Sequence, residues 1–387
     1  MQQLSVSRLF DGTNWLENVS VSIDNGMIQA ISAATGAVMP GMLVPGFIDI
    51  QVNGGGGVLF NSLPTRQALH TMMQAHARFG TTAMLATVIT DSIDTMQQAA
   101  DAIAAAIADK TPGIIGVHFE GPHLSVPKKG VHPQQHIRQL SEAELAIYGR
   151  TDLGIKLVTV APENISPQQI QQLVALNVIV CLGHSNADAT TVQAALAAGA
   201  TGFTHLYNAM SPLTSREPGM VGVALADTNS WCGVIFDGHH MHPVAAKVAL
   251  AAKPKGKLII VTDAMSPVGT SDSEFAFFDG KVIRDGNKLT NEAGAFSSMG
   301  LRVGGPYKII VDSDTYADET VNDIYLQLGD TYQLNKQLQA ESVERIAVTG
   351  ASIATANNGS SSYFGEDDIK NAPSLNNDLK DIVKNNP

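Results

Sequence analysis

The chain has 387 residues, of which 44% are hydrophobic, and a formal net charge of −12. This length allows one large α/β barrel or two ordinary domains. The negative charge argues against general binding to nucleic acids or membrane surfaces. No apolar run reaches about 18 residues, and the N-terminus lacks the pattern of a secretion signal. The two cysteines, Cys181 and Cys232, lie in apolar runs. A reducing compartment, the cytoplasm, is therefore expected.

The first elements are short strands that alternate polar and apolar residues. Residues 4–10, 18–24 and 27–32 show this alternation, with turn dipeptides at Asp11-Gly12 and Asn25-Gly26. Strand-like runs separated by tight turns predict a small antiparallel β domain, which we place at residues 1–45.

From residue 46 the pattern changes to strands that alternate with helices. The predicted strands are 43–52, 82–89, 114–119, 156–162, 178–184, 202–206, 231–236 and 257–263. The predicted helices are 64–79, 92–109, 141–149, 166–175, 187–198 and 243–252. Alternation through eight strands predicts a (β/α)8 TIM-type barrel, an α/β fold, over residues 46–298.

The C-terminal quarter is atypical for such a barrel. The eighth helix is not visible after Asp263, and a hairpin-like pattern at 275–290 comes first. A missing helix would expose apolar strand surface at a cost of roughly 25 cal/mol per Å². Either residues 299–356 cover this surface in another way, or the protein is weakly stable. Residues 357–387 are rich in Asn, Ser and Asp and are predicted to be disordered.

Polar side chains that suit a catalytic metal site follow four of the strands. Glu120, His184, His205 and Asp263 each come at the end of an apolar run. Parallel barrel strands deliver their last residues to one rim, so these side chains are expected to meet. Glu120, His184 and His205 are ligand types that zinc accepts, and they leave a position for water. Asp263 could act as general base and acid, and His132 could polarise a carbonyl oxygen.

Eight short motifs together resemble the N-acetylglucosamine-6-phosphate deacetylases of the amidohydrolase superfamily, up to about residue 298. The motifs are PGFIDIQVNG, HFEGPHL, KKGVH, GHSNA, THLYNAMSPL, REPGMVG, DGHH and VTDA. The resemblance implies hydrolysis of the acetamide of an amino-sugar 6-phosphate, with release of acetate. It also implies one divalent metal ion per subunit, expected to be Zn²⁺, and a cytoplasmic homodimer.

The resemblance also assigns residues to roles. Metal ligands are implied at Glu120, His184 and His205, and catalytic groups at Asp263 and His132. Asn208 and Ala209 are implied to contact the substrate. Arg216 and His240 are implied to bind the phosphate, reaching the site of the neighbouring subunit.

The end of the first barrel strand bears on the number of metal ions. Many amidohydrolases have His-x-His there, which holds a second metal, whereas this chain has Gln51 and Asn53. Amides are weaker metal ligands than imidazoles, so we expect one metal and assign these amides to substrate binding. Lys156 lies at the start of the fourth strand, which is the wrong end for a lysine that bridges two metals.

Two other functions remain open from the sequence. The same residues would serve the epimer, N-acetylgalactosamine 6-phosphate, because one sugar hydroxyl distinguishes the substrates. The abnormal C-terminal quarter also leaves open an inactive sugar-phosphate-binding homologue.

Overall fold

The computed structural model describes residues 2–277, 280–285, 288–291, 304–311 and 319–326. The chain forms two compact units, Met1–Phe296 and Ser297–Pro387. The predicted tail at 357–387, and all of the predicted covering segment at 299–356 except two strands, lie outside the described residues.

The N-terminal strands form a four-stranded sheet in the order β3-β2-β1-β4. Its strands are β1 (Gln2–Phe10), β2 (Trp15–Asp24), β3 (Met27–Ala33) and β4 (Met39–Leu43). The sequence predicted an antiparallel unit, but β4 pairs with β1 in parallel, so the sheet is mixed. A small hydrophobic cluster of Val6, Leu9, Val19 and Val21 packs within this sheet domain.

The described residues after the N-terminal sheet form an eight-stranded sheet in which every pair of neighbouring strands runs parallel. Its strands are β5 (Phe47–Val52), β8 (Thr81–Ile89), β9 (Ile114–Glu120), β10 (Ile155–Val160), β11 (Val178–Leu182), β12 (Gly202–Phe203), β13 (Trp231–Val234) and β14 (Leu258–Ile260). Two short strands, β6 (Gly54–Gly55) and β7 (Val58–Leu59), form a hairpin after β5. The sheet order confirms the predicted barrel.

Helices follow the strands through most of the barrel. They are α1 (Arg66–Ala77), α2 (Ile93–Ala108), α3 (Glu142–Tyr148), α4 (Pro167–Ala175), α5 (Ala189–Ala197), α6 (Gly219–Ala226) and α7 (Pro243–Ala252). A side chain caps the first turn of every one of these helices except α6; the caps are Thr65, Ser92, Ser141, Ser166, Asp188 and His242. Such caps satisfy N–H groups that have no partner within the helix. None of the described helices combines the length and apolar composition needed to cross a membrane.

The barrel closes between β14 and β5 without a continuous ladder in the described residues. An isolated bridge joins Val52 to Ala264, and the Asp263 N–H donates to the Gln51 carbonyl at 3.0 Å. The described stretch 261–277 contains no α-helix, and Ile48 and Ile260 are exposed. The eighth helix is therefore absent from this stretch, as the sequence indicated.

The predicted hairpin at 275–290 is a three-stranded antiparallel sheet. It consists of β15 (Glu274–Phe277), β16 (Gly280–Asp285) and β17 (Lys288–Asn291). In the second unit, β18 (Gly304–Val311) and β19 (Glu319–Leu326) pair antiparallel.

Candidate metal centre and active site

The structure brings Glu120, His184 and His205 together at one rim of the barrel. Glu120 is the last residue of β9, and the two histidines follow β11 and β12. One carboxylate oxygen, Glu120 Oε1, lies 3.1 Å from His184 Nε2 and 3.0 Å from His205 Nε2. The two Nε2 atoms are 2.9 Å apart. All three side chains are buried.

The backbone at these strand ends is held in an uncommon conformation. His184, His205 and Asp263 have φ angles of 46°, 34° and 51°, in the left-handed region. Each such residue costs on the order of 1–3 kcal/mol and persists only where the surrounding structure enforces it. The sharp turn directs each side chain toward the rim.

The three atoms fit a divalent cation between them. Ligands about 2.0–2.1 Å from a tetrahedral zinc ion would lie roughly 3.4 Å from one another, close to the spacing seen here. Two neutral imidazole nitrogens that both present lone pairs repel each other unless a cation or a proton lies between them. His184 Nδ1 donates to the Lys128 carbonyl at 2.9 Å, which leaves Nε2 as the ligand atom.

The electrostatics of the cluster agree with this arrangement. Burial raises the pKa of Glu120, but hydrogen bonds and charge from His184 and His205 outweigh it and hold the pKa well below its usual value. Burial lowers the pKa of His205, but its hydrogen bond to Glu120 and the nearby carboxylates raise it overall. The carboxylate is therefore ionised at neutral pH and available to a metal.

Asp263 lies beside this cluster and is held by Asn53. The Asn53 amide donates to Asp263 Oδ1 at 2.7 Å and to the Asp263 carbonyl at 3.2 Å. Burial, followed by the charge of Glu120, raises the pKa of Asp263 to about 7. A carboxyl group with a pKa near 7 can both accept and donate a proton at neutral pH.

His132 completes the polar wall of the site. Its ring lies 4.4 Å from the ring of His184, measured between centroids. The Thr90 N–H donates to His132 Nδ1 at 3.3 Å, so we assign the proton of the neutral ring to Nε2. Burial lowers the pKa of His132 well below its usual value. Its Nε2–H is then a neutral donor.

Gln51 and Asn53 both lie at the rim, where their amides contact carboxylates. The Gln51 amide donates to Glu120 Oε1 at 3.2 Å, and Asn53 holds Asp263. Lys156 lies at the opposite end of the barrel, where its ammonium donates to the Tyr148 carbonyl at 2.7 Å and the Leu176 carbonyl at 2.8 Å. Lys156 therefore contacts helix ends rather than the metal cluster.

The glycine run at 54–57 has its backbone donors occupied. Gly54 N–H donates to Ala264, Gly56 N–H to Val268 and Gly57 N–H to Ser266, at 2.9, 2.7 and 2.9 Å. These bonds tie the first rim loop to the chain that follows β14, so these N–H groups are not free to bind a phosphate.

The residues predicted to bind the sugar and phosphate lie on neighbouring rim loops. Asn208 is half-buried in the turn after His205, and the Ala209 carbonyl accepts from Ser185 N–H at 3.0 Å. Arg216 is exposed, and its guanidinium makes no ion pair with any described residue. His240 is also exposed, and its Nδ1 pairs with Asp237 at 2.6 Å.

Thr90 is a contact of the site that the sequence reasoning did not single out. Its hydroxyl oxygen lies 2.8 Å from His132 Nδ1 and 3.3 Å from the Glu120 carbonyl oxygen. With the His132 proton on Nε2, this hydroxyl donates to Nδ1. Thr90 directly follows β8. The strand-end rule that found Glu120 could therefore have found Thr90 as well.

Comparison with known proteins gives a consistent result. Residues 42–302 match the amidohydrolase family. The chain is 49% identical over 342 residues to N-acetylgalactosamine-6-phosphate deacetylase of Shewanella sp. (strain ANA-3), covering 86% of this chain and 84% of that protein. It is 34% identical to N-acetylglucosamine-6-phosphate deacetylase of Vibrio furnissii, covering 75% and 76% of the two chains.

Solved structures agree with the fold. The structure of N-acetylglucosamine-6-phosphate deacetylase from Pasteurella multocida matches with a TM-score of 0.70 and 32% identity, covering 76% of this chain and 80% of that chain. The predicted resemblance is confirmed. This chain belongs to the amidohydrolase family, whose members depend on metal ions.

Proposed function

We propose that this protein hydrolyses the acetamide of N-acetyl-D-glucosamine 6-phosphate to glucosamine 6-phosphate and acetate. The observation that carries the proposal is the meeting of Glu120, His184 and His205 at one rim, with Asp263 held beside them by Asn53. Relatives that cover most of the chain are named as deacetylases of amino-sugar 6-phosphates, which supports this choice of substrate class.

Glu120, His184 and His205 would hold one divalent metal ion, which we propose to be Zn²⁺. A bound zinc ion polarises a substrate carbonyl and lowers the pKa of water to about 7. In the proposed mechanism Asp263 accepts a proton from the attacking water and passes it to the leaving nitrogen. The Asn53 amide fixes Asp263 Oδ1 at 2.7 Å and thereby orients the carboxylate for both transfers.

His132 would stabilise the negative charge that develops on the carbonyl oxygen. Its Nε2–H is a neutral donor, and Thr90 fixes the ring through Nδ1. A fixed donor in a buried site needs no reorganisation during the reaction, which makes its contribution larger than it would be in water.

The phosphate would be bound by Arg216 and His240, with Asn208 and Ala209 contacting the sugar. We propose that the protein is a cytoplasmic homodimer and that Arg216 and His240 act on the neighbouring subunit's site. Their exposure supports this assignment, since a group that serves another subunit must project from its own. We do not expect nucleic acid or membrane partners for a protein with a net charge of −12.

A second candidate is the deacetylation of N-acetyl-D-galactosamine 6-phosphate. The relative at 49% identity from Shewanella carries this activity in its name, and so does one from Escherichia coli O157:H7 at 33% identity. The two sugars differ at one hydroxyl, so the machinery described above would serve either.

Acetate release from both sugar phosphates, with and without added zinc, tests the proposal. We expect zinc-dependent release of acetate from N-acetylglucosamine 6-phosphate. The values of kcat/KM for the two epimers are then compared directly. A kcat/KM higher for the galactosamine epimer would select the second candidate. Binding of both sugars without acetate release would indicate an inactive sugar-phosphate-binding homologue.

Metal analysis of the purified protein should give close to one equivalent per subunit. The expectation rests on the one set of three ligands found among the described residues, with Gln51 and Asn53 where other amidohydrolases have His-x-His. Glu120→Gln should lose most of the metal, because the remaining imidazoles supply only two strong ligands. Asp263→Asn is the matched control and should keep it. Two tightly bound equivalents in the wild-type protein would contradict the single-metal assignment.

A further inference from the structure

Three positions of the first barrel strand, spaced two residues apart, each reach a different part of the active site. Gln51 contacts Glu120, and Asn53 contacts Asp263. The third, Asp49, is 4% exposed and contacts neither of these groups. Its carboxylate contacts Thr262, the residue immediately before Asp263.

Asp49 and Thr262 form a short chain of hydrogen bonds that brackets Asp263. Thr262 Oγ1 donates to Asp49 Oδ2 at 2.6 Å and accepts from the Ala264 N–H at 3.2 Å. Asp49 Oδ1 also accepts from the Gln51 N–H at 3.1 Å. The residues on both sides of Asp263 are thereby tied to the first strand.

This chain of hydrogen bonds lies at the junction between β14 and β5, where the barrel closes. Within the described residues β14 and β5 share no regular ladder, and individual bonds join the two sides. The Asp263 N–H donates to the Gln51 carbonyl at 3.0 Å, and the Asn53 amide donates to the Asp263 carbonyl at 3.2 Å. The backbone of Asp263 is left-handed, with φ of 51°, and must be held in place by its surroundings. The chain of bonds through Thr262 supplies such a restraint.

Asp49 forms no salt bridge with any described residue, and hydrogen bonds satisfy its carboxylate instead. It accepts from the Gln51 N–H at 3.1 Å, from the Thr262 N–H at 3.4 Å and from the Thr262 hydroxyl at 2.6 Å. An apolar side chain of similar size would leave these donors without a partner. The same bonds fix the residue next to Asp263, so a carboxylate here can serve both the barrel seam and the site.

We propose that the Asp49–Thr262 pair is a positioning device that sets the Asp263 carboxylate for proton transfer. The inference rests on the proposed function, because it assumes that Asp263 acts on the substrate. Neither residue touches the reacting atoms. Reaction rates depend steeply on geometry, and a misplacement of about 1 Å can cost roughly 10²-fold.

The test compares Thr262→Val, which has the same shape without the hydroxyl, with Thr262→Ser, which keeps it. Thr262→Val and Asp49→Asn should lower kcat by roughly 10- to 100-fold while KM and metal content stay near wild type. Thr262→Ser should keep most of kcat. Thr81→Val is the matched control, because Thr81 is buried at the opposite end of β8. This control should leave kcat unchanged.

Hydrogen exchange of the metal-loaded protein supplies a readout that does not depend on turnover. The Ala264 amide should exchange faster in Thr262→Val than in wild type, and should stay protected in Thr262→Ser and Thr81→Val. Unchanged kcat in folded, metal-loaded Thr262→Val would overturn the proposal, and so would equal losses for the valine and serine variants. If the wild type released acetate from neither epimer, the proposed function would fail. Unaltered exchange in Thr262→Val would separately show that the hydroxyl does not hold this segment.

Discussion

Asp263→Asn should lower kcat by roughly 10²–10⁴-fold, the usual contribution of general acid–base catalysis. Asparagine keeps the shape of the side chain but cannot accept the proton of the attacking water. The exchange also removes a buried carboxylate whose pKa is raised to about 7 by burial and by Glu120. The variant should therefore fold at least as well as the wild type, and its loss of activity should not come from unfolding.

Turnover and metal content, measured on the same preparation, check this expectation. Asp188→Asn is a suitable control, since Asp188 caps α5 by accepting from the Thr191 N–H at 2.8 Å and asparagine caps equally well. The control should retain wild-type turnover. Near-normal kcat in metal-loaded Asp263→Asn would remove Asp263 from the mechanism.

The pH dependence of kcat/KM should carry the signature of the same group. A base must be ionised to act, so activity should fall as the pH drops through the pKa of Asp263. That pKa is raised to about 7 by burial and by Glu120. A bound cation favours the carboxylate form. In the metal-loaded enzyme the fall in kcat/KM should therefore occur at a pH below this value. The residual kcat/KM of Asp263→Asn should not show this fall as the pH decreases.

Arg216→Ala should lower kcat/KM for the sugar 6-phosphate by roughly 10²-fold, because two charge-assisted hydrogen bonds would be lost at about 1.5 kcal/mol or more each. The slow rate on the unphosphorylated sugar should hardly change. A pairing of Arg216 with the adjacent Glu217 would be the alternative to phosphate binding. In the structure the Glu217 carboxylate instead accepts from the N–H groups of Ala189 and Gly219, at 2.8 and 3.0 Å. The guanidinium therefore remains available to a ligand.

A mixture of subunits tests whether Arg216 acts on the partner. Arg216→Ala and Asp263→Asn are each deficient alone, but a mixed dimer would contain one complete site if the arginine reaches across. Random mixing should then recover about a quarter of wild-type activity, since half the dimers are mixed and half their sites are complete. Arg66→Ala, an exposed arginine of α1, serves as a control. Equal losses on both sugars would show that Arg216 supports the fold instead.

Much of the barrel follows from sequence patterns, and the departures have identifiable causes. Helices with a polar face were predicted to within about two residues, as α2 and α7 show. Helix α6 was missed because residues 219–225 are all buried and therefore lack a polar face. Strand β4 was missed because its pairing with β1 depends on a contact across the chain rather than on local alternation.

At the site, too, positions set by local sequence patterns could be predicted, whereas contacts between distant residues could not be foreseen. Glu120, His184 and His205 could be brought together in advance, because each lies at or just after the end of a strand and strand ends share a rim. The contact between Asp49 and Thr262 joins residues 213 positions apart across the barrel seam. Its existence depends on how the first and last strands meet, which no local pattern specifies. The predicted roles of Arg216 and His240 concern a second subunit and remain predictions.

At His184, His205 and Asp263 the residues that activity requires are poorly suited to a left-handed backbone. Activity and thermal stability therefore favour different residues at these positions. Glycine, and to a lesser degree asparagine, adopts this conformation at lower cost than histidine or aspartate. Substitution by residues that suit these turns should raise the unfolding temperature of the metal-free protein. The same substitutions would remove a metal ligand, at His184 or His205, or the general base, at Asp263. A library scored separately for heat resistance and for acetate release should therefore show opposite preferences at these three positions. Enrichment of the native residues under both selections would show that the turns carry no strain.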